Sequence, residues 1–178
     1  MKLIILDRDG VINEDSDNYI KSVDEWQPVP GSIEAIANLS KAGFTIAVAT
    51  NQSGLGRGYY SQQTLNDMHG KMLGLVEEQG GSIACIKFCP HTPVDNCDCR
   101  KPQPGLVRQI EKELDVSSAG AWFVGDSAKD IEVARSCDCL PVLVKSGKGM
   151  RTLSSGMGLN DVAIFDNLLA FSKSVIRD

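Results

Sequence analysis

No stretch of this sequence approaches the ~20 consecutive apolar residues that a bilayer span requires, so membrane insertion is not expected. A basic excess is missing too. Lys and Arg number 18 against 23 Asp and Glu, a formal net charge of −5. That argues against a nucleic-acid-binding face, while a local cationic pocket could still take an anionic substrate. The opening MKLIILD has only a short apolar stretch, Leu3 to Leu6, before acids begin, too short for a secretory signal. A cytoplasmic protein is expected. Internal repeats, low-complexity tracts and linker compositions are absent. The 178 residues suit one domain, 1–178, with enough chain to bury a core without disulfides. Six cysteines then point to metal ligands or buried thiols. No long apolar surface helix stands out, and a monomer is expected.

What is present is an alternation of short apolar runs with amphipathic stretches. Residues 2–6, 44–49, 83–88, 121–124 and 140–144 read as buried strands, and 162–165 as a last one. Pro30-Gly31-Ser32 opens a helix with Ile33, Ile36, Ala37 and Ser40 on one face, stopped near Gly43. A glycine-rich loop covers 51–60. Ser61 caps a helix carrying Leu65, Met68, Met72, Leu75 and Val76. Pro104 opens another with Leu106, Val107, Ile110 and Leu114. A short helix is expected at 131–135, and one from Leu168 to the end. Residues 89–100 and 145–160 read as loop. Strands alternating with helices imply a mostly parallel α/β sheet covered on both faces. Ligands of such sheets bind beyond the carboxyl ends of the strands.

Those ends carry chemistry. The first strand ends in Asp7-Arg8-Asp9-Gly10-Val11, and alternate residues of an extended chain face one side. The fourth ends in Gly125-Asp126, with Asp130 a helical turn on. Thr50, Asn51 and Gln52 close the second, and Lys101 precedes a helix. Taken singly, each piece is an ordinary turn or helix cap. Together they gather carboxylates that repel unless a cation joins them, and the oxygen-only donor set suits Mg2+. A carboxylate can then attack phosphorus. A second can exchange protons with the leaving group and with water. A lysine and a threonine can hold phosphoryl oxygens.

A second constellation is Cys89-x-His91, five residues, then Cys97-x-Cys99. Three thiolates and an imidazole suit a closed, structural Zn2+ site, and a loop without apolar periodicity needs such an organiser. Cys85 reads as core, and Cys137 and Cys139 as packed thiols. His69, mid-helix, reads as a surface or packed histidine.

These residues resemble the phosphatases of the haloacid dehalogenase superfamily. The match is Asp7 to Val11 as the first motif, Thr50 as the second, Lys101 as the third, and Gly125-Asp126 with Asp130 as the fourth. The resemblance implies a Rossmann-like doubly wound fold, Asp7 as nucleophile and Asp9 as general acid/base. It implies Mg2+ held by Asp7, the backbone carbonyl of Asp9 and Asp126, with Asp130 supporting. No long insertion follows the first or second motif, so no large cap domain is expected. The zinc loop beside Arg100-Lys101-Pro102 resembles two branches of that superfamily, the heptose bisphosphate phosphatases and the histidinol phosphatases. The run from Thr50 to Gly58, with Ser53 and Arg57, and Lys101-Pro102-Gln103-Pro104-Gly105 favour the heptose branch. The implied activity is removal of the 7-phosphate of a heptose 1,7-bisphosphate, in the making of lipopolysaccharide core precursors.

Asn51, Gln52, Ser53, Arg57 and Arg100 are candidate substrate contacts, the arginines because a guanidinium fork matches phosphate. Either arginine could instead merely solvate a loop. Asp15, Ser16, Asp17 and Asn18 read equally as sugar-binding or as a plain polar loop. One departure is Ser127 where the heptose branch often has a basic residue, with Lys129 two residues on. Histidinol phosphatase, a phosphatase of nucleic-acid ends and a non-catalytic zinc-stabilised binding module are the competing functions.

Overall fold

The structure, a computed structural model, describes residues 2–176. Six strands form one sheet in the order β3-β2-β1-β4-β5-β6. They are β1 (Lys2–Leu6), β2 (Phe44–Asn51), β3 (Cys85–Cys89), β4 (Trp122–Gly125), β5 (Leu140–Val144) and β6 (Ala163–Phe165). Every neighbouring pair is parallel, so the sheet is wholly rather than mostly parallel. The connections are the helices α1 (Ser32–Lys41), α2 (Ser53–Gly56), α3 (Gln62–Glu78), α4 (Gly105–Leu114), α5 (Ala128–Ser136), α6 (Gly149–Ser155) and α7 (Leu168–Val175).

Period-two alternation sorts each strand between two cores. Ile4, Leu6, Ile46, Val48, Val124 and Val142 face one, closed by Ile36 and Leu39 of α1, Leu65, Met68 and Met72 of α3, and Phe171 of α7. Leu3, Ile5, Ala47, Ala49 and Phe123 face the other, under Leu106, Val107 and Ile110 of α4 and Val133 and Ala134 of α5. Truncating a fully buried member such as Ile36 to alanine costs ~2–5 kcal/mol.

The strand order reverses direction between β1 and β4. That switch point opens a crevice at the strands' carboxyl ends, and Asp7 and Asp126 sit there as the residues directly after β1 and β4.

Local boundaries differ from the sequence reading in instructive places. β2 runs on to Asn51, and β3 begins at Cys85 and ends on Cys89, so a thiol is the last strand residue. The loop after β2 holds the single turn α2. The expected loop 145–160 contains α6, a helix of seven residues. Residues 177–178, part of the expected last helix, lie outside the described residues. Ser61 does cap α3, its Oγ accepting from the Thr64 amide at 3.1 Å.

Candidate active site

Asp7 continues the line of β1, its amide donating to Val124 O at 2.9 Å. The chain then turns sharply, with the amides of Val11, Ile12 and Asn13 all reaching back to Arg8 O. Gly10, at φ +86°, makes that turn possible, and a side chain there would run into the Asp126 carboxylate. Asp126 follows β4. Asp130 sits in the first turn of α5, where it and Ser127 form a capping box. The turn-and-cap reading of this segment and the acidic-site reading are therefore both satisfied by the same residues.

One carboxylate oxygen each from Asp7, Asp126 and Asp130 lie within 4.8 Å of one another, and all three residues are buried. The Lys101 ammonium is set among them. It donates to Asp7 Oδ1 at 2.9 Å, Asp130 Oδ1 at 2.8 Å and Ala49 O at 2.8 Å. Those three bonds use all its protons. Asp130 also accepts from the amides of Asp126 and Ser127 and the Ser127 hydroxyl, so its oxygens are committed to the protein. Asp7 and Asp126 keep free lone pairs.

The electrostatics follow. Burial, then the charges of Asp130 and Asp126, push the pKa of Asp7 well above the carboxylate range against the pull of Lys101. Burial and Asp130 push Asp126 up to about 7. Asp130 is also buried, which raises its pKa, yet Lys101 and the cap bonds bring it down. Lys101 is raised by Asp130 and Asp7 in spite of burial. Two acids whose protons are hard to remove, facing each other with oxygen donors only, form a site a hard divalent cation would stabilise; magnesium fits it.

Asp9 is not part of that cluster. Its Oδ1 accepts from Arg8 Nη2 at 2.8 Å and Asn13 Nδ2 at 2.8 Å, and its Oδ2 from Gln52 Nε2 at 2.8 Å. Burial raises its pKa, but the Arg8 charge and these bonds outweigh that, and the net shift is downward. Gln52 is in turn held by Tyr60 Oη, which donates to its Oε1 at 2.6 Å.

The cleft encloses about 470 Å3 and is lined by Asp7, Asp9, Asp126 and Lys101, with Asp15, Ser16 and Asp17 on one wall and Arg100, Ser127 and Lys129 on another. A larger hollow of about 680 Å3 lies along Lys2, Phe44, Trp122 and Val175, but among the described residues no acid lines it. The chemistry therefore belongs to the smaller cleft.

Several expected substrate contacts are placed otherwise. Arg57 and Asn18 are both exposed, and neither lines the cleft. Thr50 is fully buried beneath the cleft, its Oγ1 accepting from Gln52 Nε2 at 2.9 Å. Gln52 spends both amide protons on Asp9 and Thr50. It lines the cleft and clamps Asp9. Asn51 lines the cleft but pairs with the main chain of Lys101, accepting from its amide at 2.9 Å and donating to its carbonyl at 3.1 Å.

The segment after β5, which reads as featureless in the sequence, is part of the site. The Lys148 amide donates to Asp126 Oδ2 at 2.9 Å, Thr152 Oγ1 to Asp126 O at 2.8 Å, and Ser146 Oγ to Gly10 O at 2.6 Å. The Lys148 side chain lines the cleft 3.6 Å from Asp15 Oδ2. Arg151 grips Asp17 with two bonds of 3.0 and 3.1 Å. Only a Gly-Lys pair at a strand end could have signalled this, and that pair is common in plain loops.

Cys89, His91, Cys97 and Cys99 gather as expected, their ligand atoms within 4.8 Å of one another. The Cys89–Cys97 and Cys97–Cys99 sulfurs stand 3.6 and 3.7 Å apart, close to the edge of a tetrahedron built on Zn–S bonds of ~2.3 Å. Cys89 and Cys99 lie closer, at 2.8 Å. His91 Nδ1 faces Cys89 and Cys99. Burial works to raise the pKa of Cys97, but bonds from the Arg100 and Cys99 amides and from the other thiols bring it to about 6. A thiolate there suits a metal. Gly56 donates its amide to Pro90 O and Gly105 to Asp98 O, bracing the loop on both sides. Cys85, Cys137 and Cys139 are buried apart from it.

A family model described as HAD-hydrolase-like matches residues 98–170. The D-glycero-β-D-manno-heptose-1,7-bisphosphate 7-phosphatase of Pseudomonas aeruginosa is 57% identical over 175 residues, covering 98% of each chain. The enzyme of that name from Pseudomonas putida is 56% identical, covering 99% of this chain and all of its own. Among solved structures, D,D-heptose 1,7-bisphosphate phosphatase of B. bronchiseptica, complexed with magnesium and phosphate, superposes with a TM-score of 0.95 at 47% identity, covering 98% of both chains.

Proposed function

Since the chain belongs to the D-glycero-β-D-manno-heptose-1,7-bisphosphate 7-phosphatases, within the HAD-like hydrolases, we propose that it removes the 7-phosphate of that sugar, the β anomer, through a phosphorylated Asp7. The observation that carries the reading is the buried meeting of Asp7, Asp126 and Asp130 around Lys101. The sequence expectation of a cytoplasmic monomer serving lipopolysaccharide precursor synthesis is kept with it. Among the described residues no helix is long and apolar enough to cross a membrane.

In this reading the free oxygen of Asp7 attacks the 7-phosphorus, and the bond between phosphorus and the oxygen on C7 breaks as the Asp7–phosphorus bond forms, leaving the C7–O bond intact. The leaving alkoxide takes a proton from Asp9. Donors that hold Asp9 ionised in the free site are opposed by the incoming phosphate, whose negative charge raises the proton affinity of the carboxyl beside it. Asp9 then takes a proton from water, which attacks the phospho-Asp7 and restores the carboxylate. Lys101 holds Asp7 in line and offers a proton to a phosphoryl oxygen in exchange for one of its present bonds. Magnesium, held by Asp7, Asp126 and the main-chain carbonyl of Asp9, supplies charge neutralisation between the two anions. Asp130 positions Lys101 and the start of α5. Arg100, Lys129 and Lys148 provide cationic ground for the second phosphate, and Lys129 or Lys148 makes up for the serine at 127. Cys89, His91, Cys97 and Cys99 would hold zinc, which would fix the loop that presents Arg100 and Lys101.

The test is a substrate panel with Mg2+: heptose 1,7-bisphosphate, histidinol phosphate and a phosphorylated oligonucleotide. Phosphate release fastest from the first, leaving the 1-phosphate by 31P NMR and abolished by Asp7→Asn, is the expected result. Faster turnover of histidinol phosphate would overturn the substrate assignment.

A further inference from the structure

Arg8 is a buried cation that the reaction as derived does not use. Its side chain is fully buried and absent from the cleft lining. Nη2 donates to Asp9 Oδ1 at 2.8 Å, Nη1 meets His69 Nε2 at 3.1 Å, and Nε has no partner among the described residues. Asp9 is the acid it pairs with.

The chemistry of the Arg8–His69 contact is fixed by the donor. A guanidinium stays protonated and has no lone pair to offer. His69 Nε2 must accept, so the ring is neutral and carries its proton on Nδ1. Burial and the Arg8 charge act in the same sense, bringing the His69 pKa down to about 4. The ring is itself buried on α3, with Phe88 beside it at 6.4 Å between centroids. A long flexible side chain with one anchor at Asp9 could swing; the second anchor at His69 spans it between α3 and the turn after β1. Gln52, held by Tyr60, fixes the other oxygen of the same carboxylate. Asp9 is therefore oriented by two braced donors coming from different elements, Arg8 and Gln52, with Asn13 as a third donor on the oxygen that Arg8 holds.

We propose that His69 is a positioning residue for the phosphatase reaction: its neutral imidazole holds the Arg8 guanidinium, which sets the Asp9 carboxyl in the orientation from which it exchanges protons with leaving group and water. This rests on the phosphatase reading above.

The experiment compares wild type, His69→Leu and His69→Gln, with Mg2+, on heptose 1,7-bisphosphate and on p-nitrophenyl phosphate, whose leaving group departs without a proton. His69→Leu removes the acceptor. It should lose about tenfold or more in kcat on the sugar phosphate with KM within about twofold. Its first-turnover burst of p-nitrophenolate should stay near the wild-type rate. His69→Gln, whose Oε1 can accept from Arg8, should recover activity to within about threefold of wild type. Equal losses on both leaving groups, or His69→Leu matching an active wild type, would overturn the inference alone; an inactive wild type sinks the phosphatase reading and this inference together. Should His69→Leu fail to fold by circular dichroism, 15N NMR of the wild type decides. The chain has only two histidines, and His69 should show the Nδ1–H tautomer; an Nε2–H tautomer would refute the proposal.

Discussion

The main-chain amide of Lys148 donates to Oδ2 of Asp126 at 2.9 Å, so a carboxylate after β4 is oriented by a residue beyond β5. The contact depends on Gly147, at φ +57°, where a side chain would meet both Gly10 and the Asp126 carboxylate. Gly147→Ala should therefore separate the segment from the site. The expected outcome is a fall of about tenfold or more in kcat/KM and weaker stabilisation by Mg2+, read by phosphate release and by thermal melts with and without the metal.

Magnesium removal should matter more as pH rises. Asp7 and Asp126 have folded pKa values raised above those of the unfolded chain, Asp126 to about 7. Such acids favour the metal-free fold at low pH, where both remain protonated, and cost it stability as pH climbs through the folded pKa. A bound cation reverses that cost. The rise in Tm on adding Mg2+ should be larger at pH 8 than at pH 5.5, and Asp126→Asn should flatten the difference. An equal Tm rise at both pH values would contradict the cation's place among these acids.

His69 gives the opposite slope. Its folded pKa, about 4, lies below the ordinary value of 6.5, so the unfolded chain binds the extra proton between those limits. Stability is fully present above pH ~6.5 and declines as pH falls toward ~4, by roughly a few kcal/mol. Melts of wild type and His69→Gln across that window should converge as pH falls if the imidazole is responsible.

Lys101→Met leaves Asp7 and Asp130 buried without their cation. Loss of ~3–5 kcal/mol of stability is expected, together with at least ~100-fold lower kcat, measured by denaturant unfolding and steady-state kinetics. Lys148→Met, by contrast, changes an exposed side chain at the cleft. It should raise KM for the bisphosphate roughly tenfold, ~1.4 kcal/mol, while its main-chain bond to Asp126 keeps kcat close to wild type.

The zinc loop is tested by stoichiometry. One Zn2+ per chain is expected by elemental analysis, lost in Cys97→Ser with a Tm drop of about 5–10 °C. A metal-free wild type of unchanged stability would dispose of the zinc assignment.

Which parts of this are legible in the sequence follows from how each part works. Asp7 and Asp126 act through side chains at the ends of strongly apolar runs, with Asp130 a helical turn beyond the second, and composition marks both the run and its end. The zinc ligands are equally visible, because their chemistry needs Cys and His at close spacing. Gln52 and Asn51 stand out by residue type and place, and both line the cleft, but sequence alone does not show which partners they have. Their amides are spent on Asp9 and on Lys101, and only geometry reveals which partner an amide has. Arg57 has the residue type of a phosphate contact, but it is exposed and does not line the cleft. Residues 145–152 escape a sequence reading since they act through a backbone amide and two hydroxyls, groups that leave no mark on periodicity. His69 looks like any packed histidine until Arg8 is seen against it.

The closure of Asp126 by residue 148 has a consequence for synthesis. Asp7 leaves the ribosome well before Lys148, whose amide completes the setting of its neighbour Asp126. A nascent chain stalled anywhere before β5 carries Asp7 with no finished cation seat beside it. It should stay inert toward phosphate esters until the segment beyond β5 is made and docks on Gly10, which makes hydrolysis wait on residues 146–148.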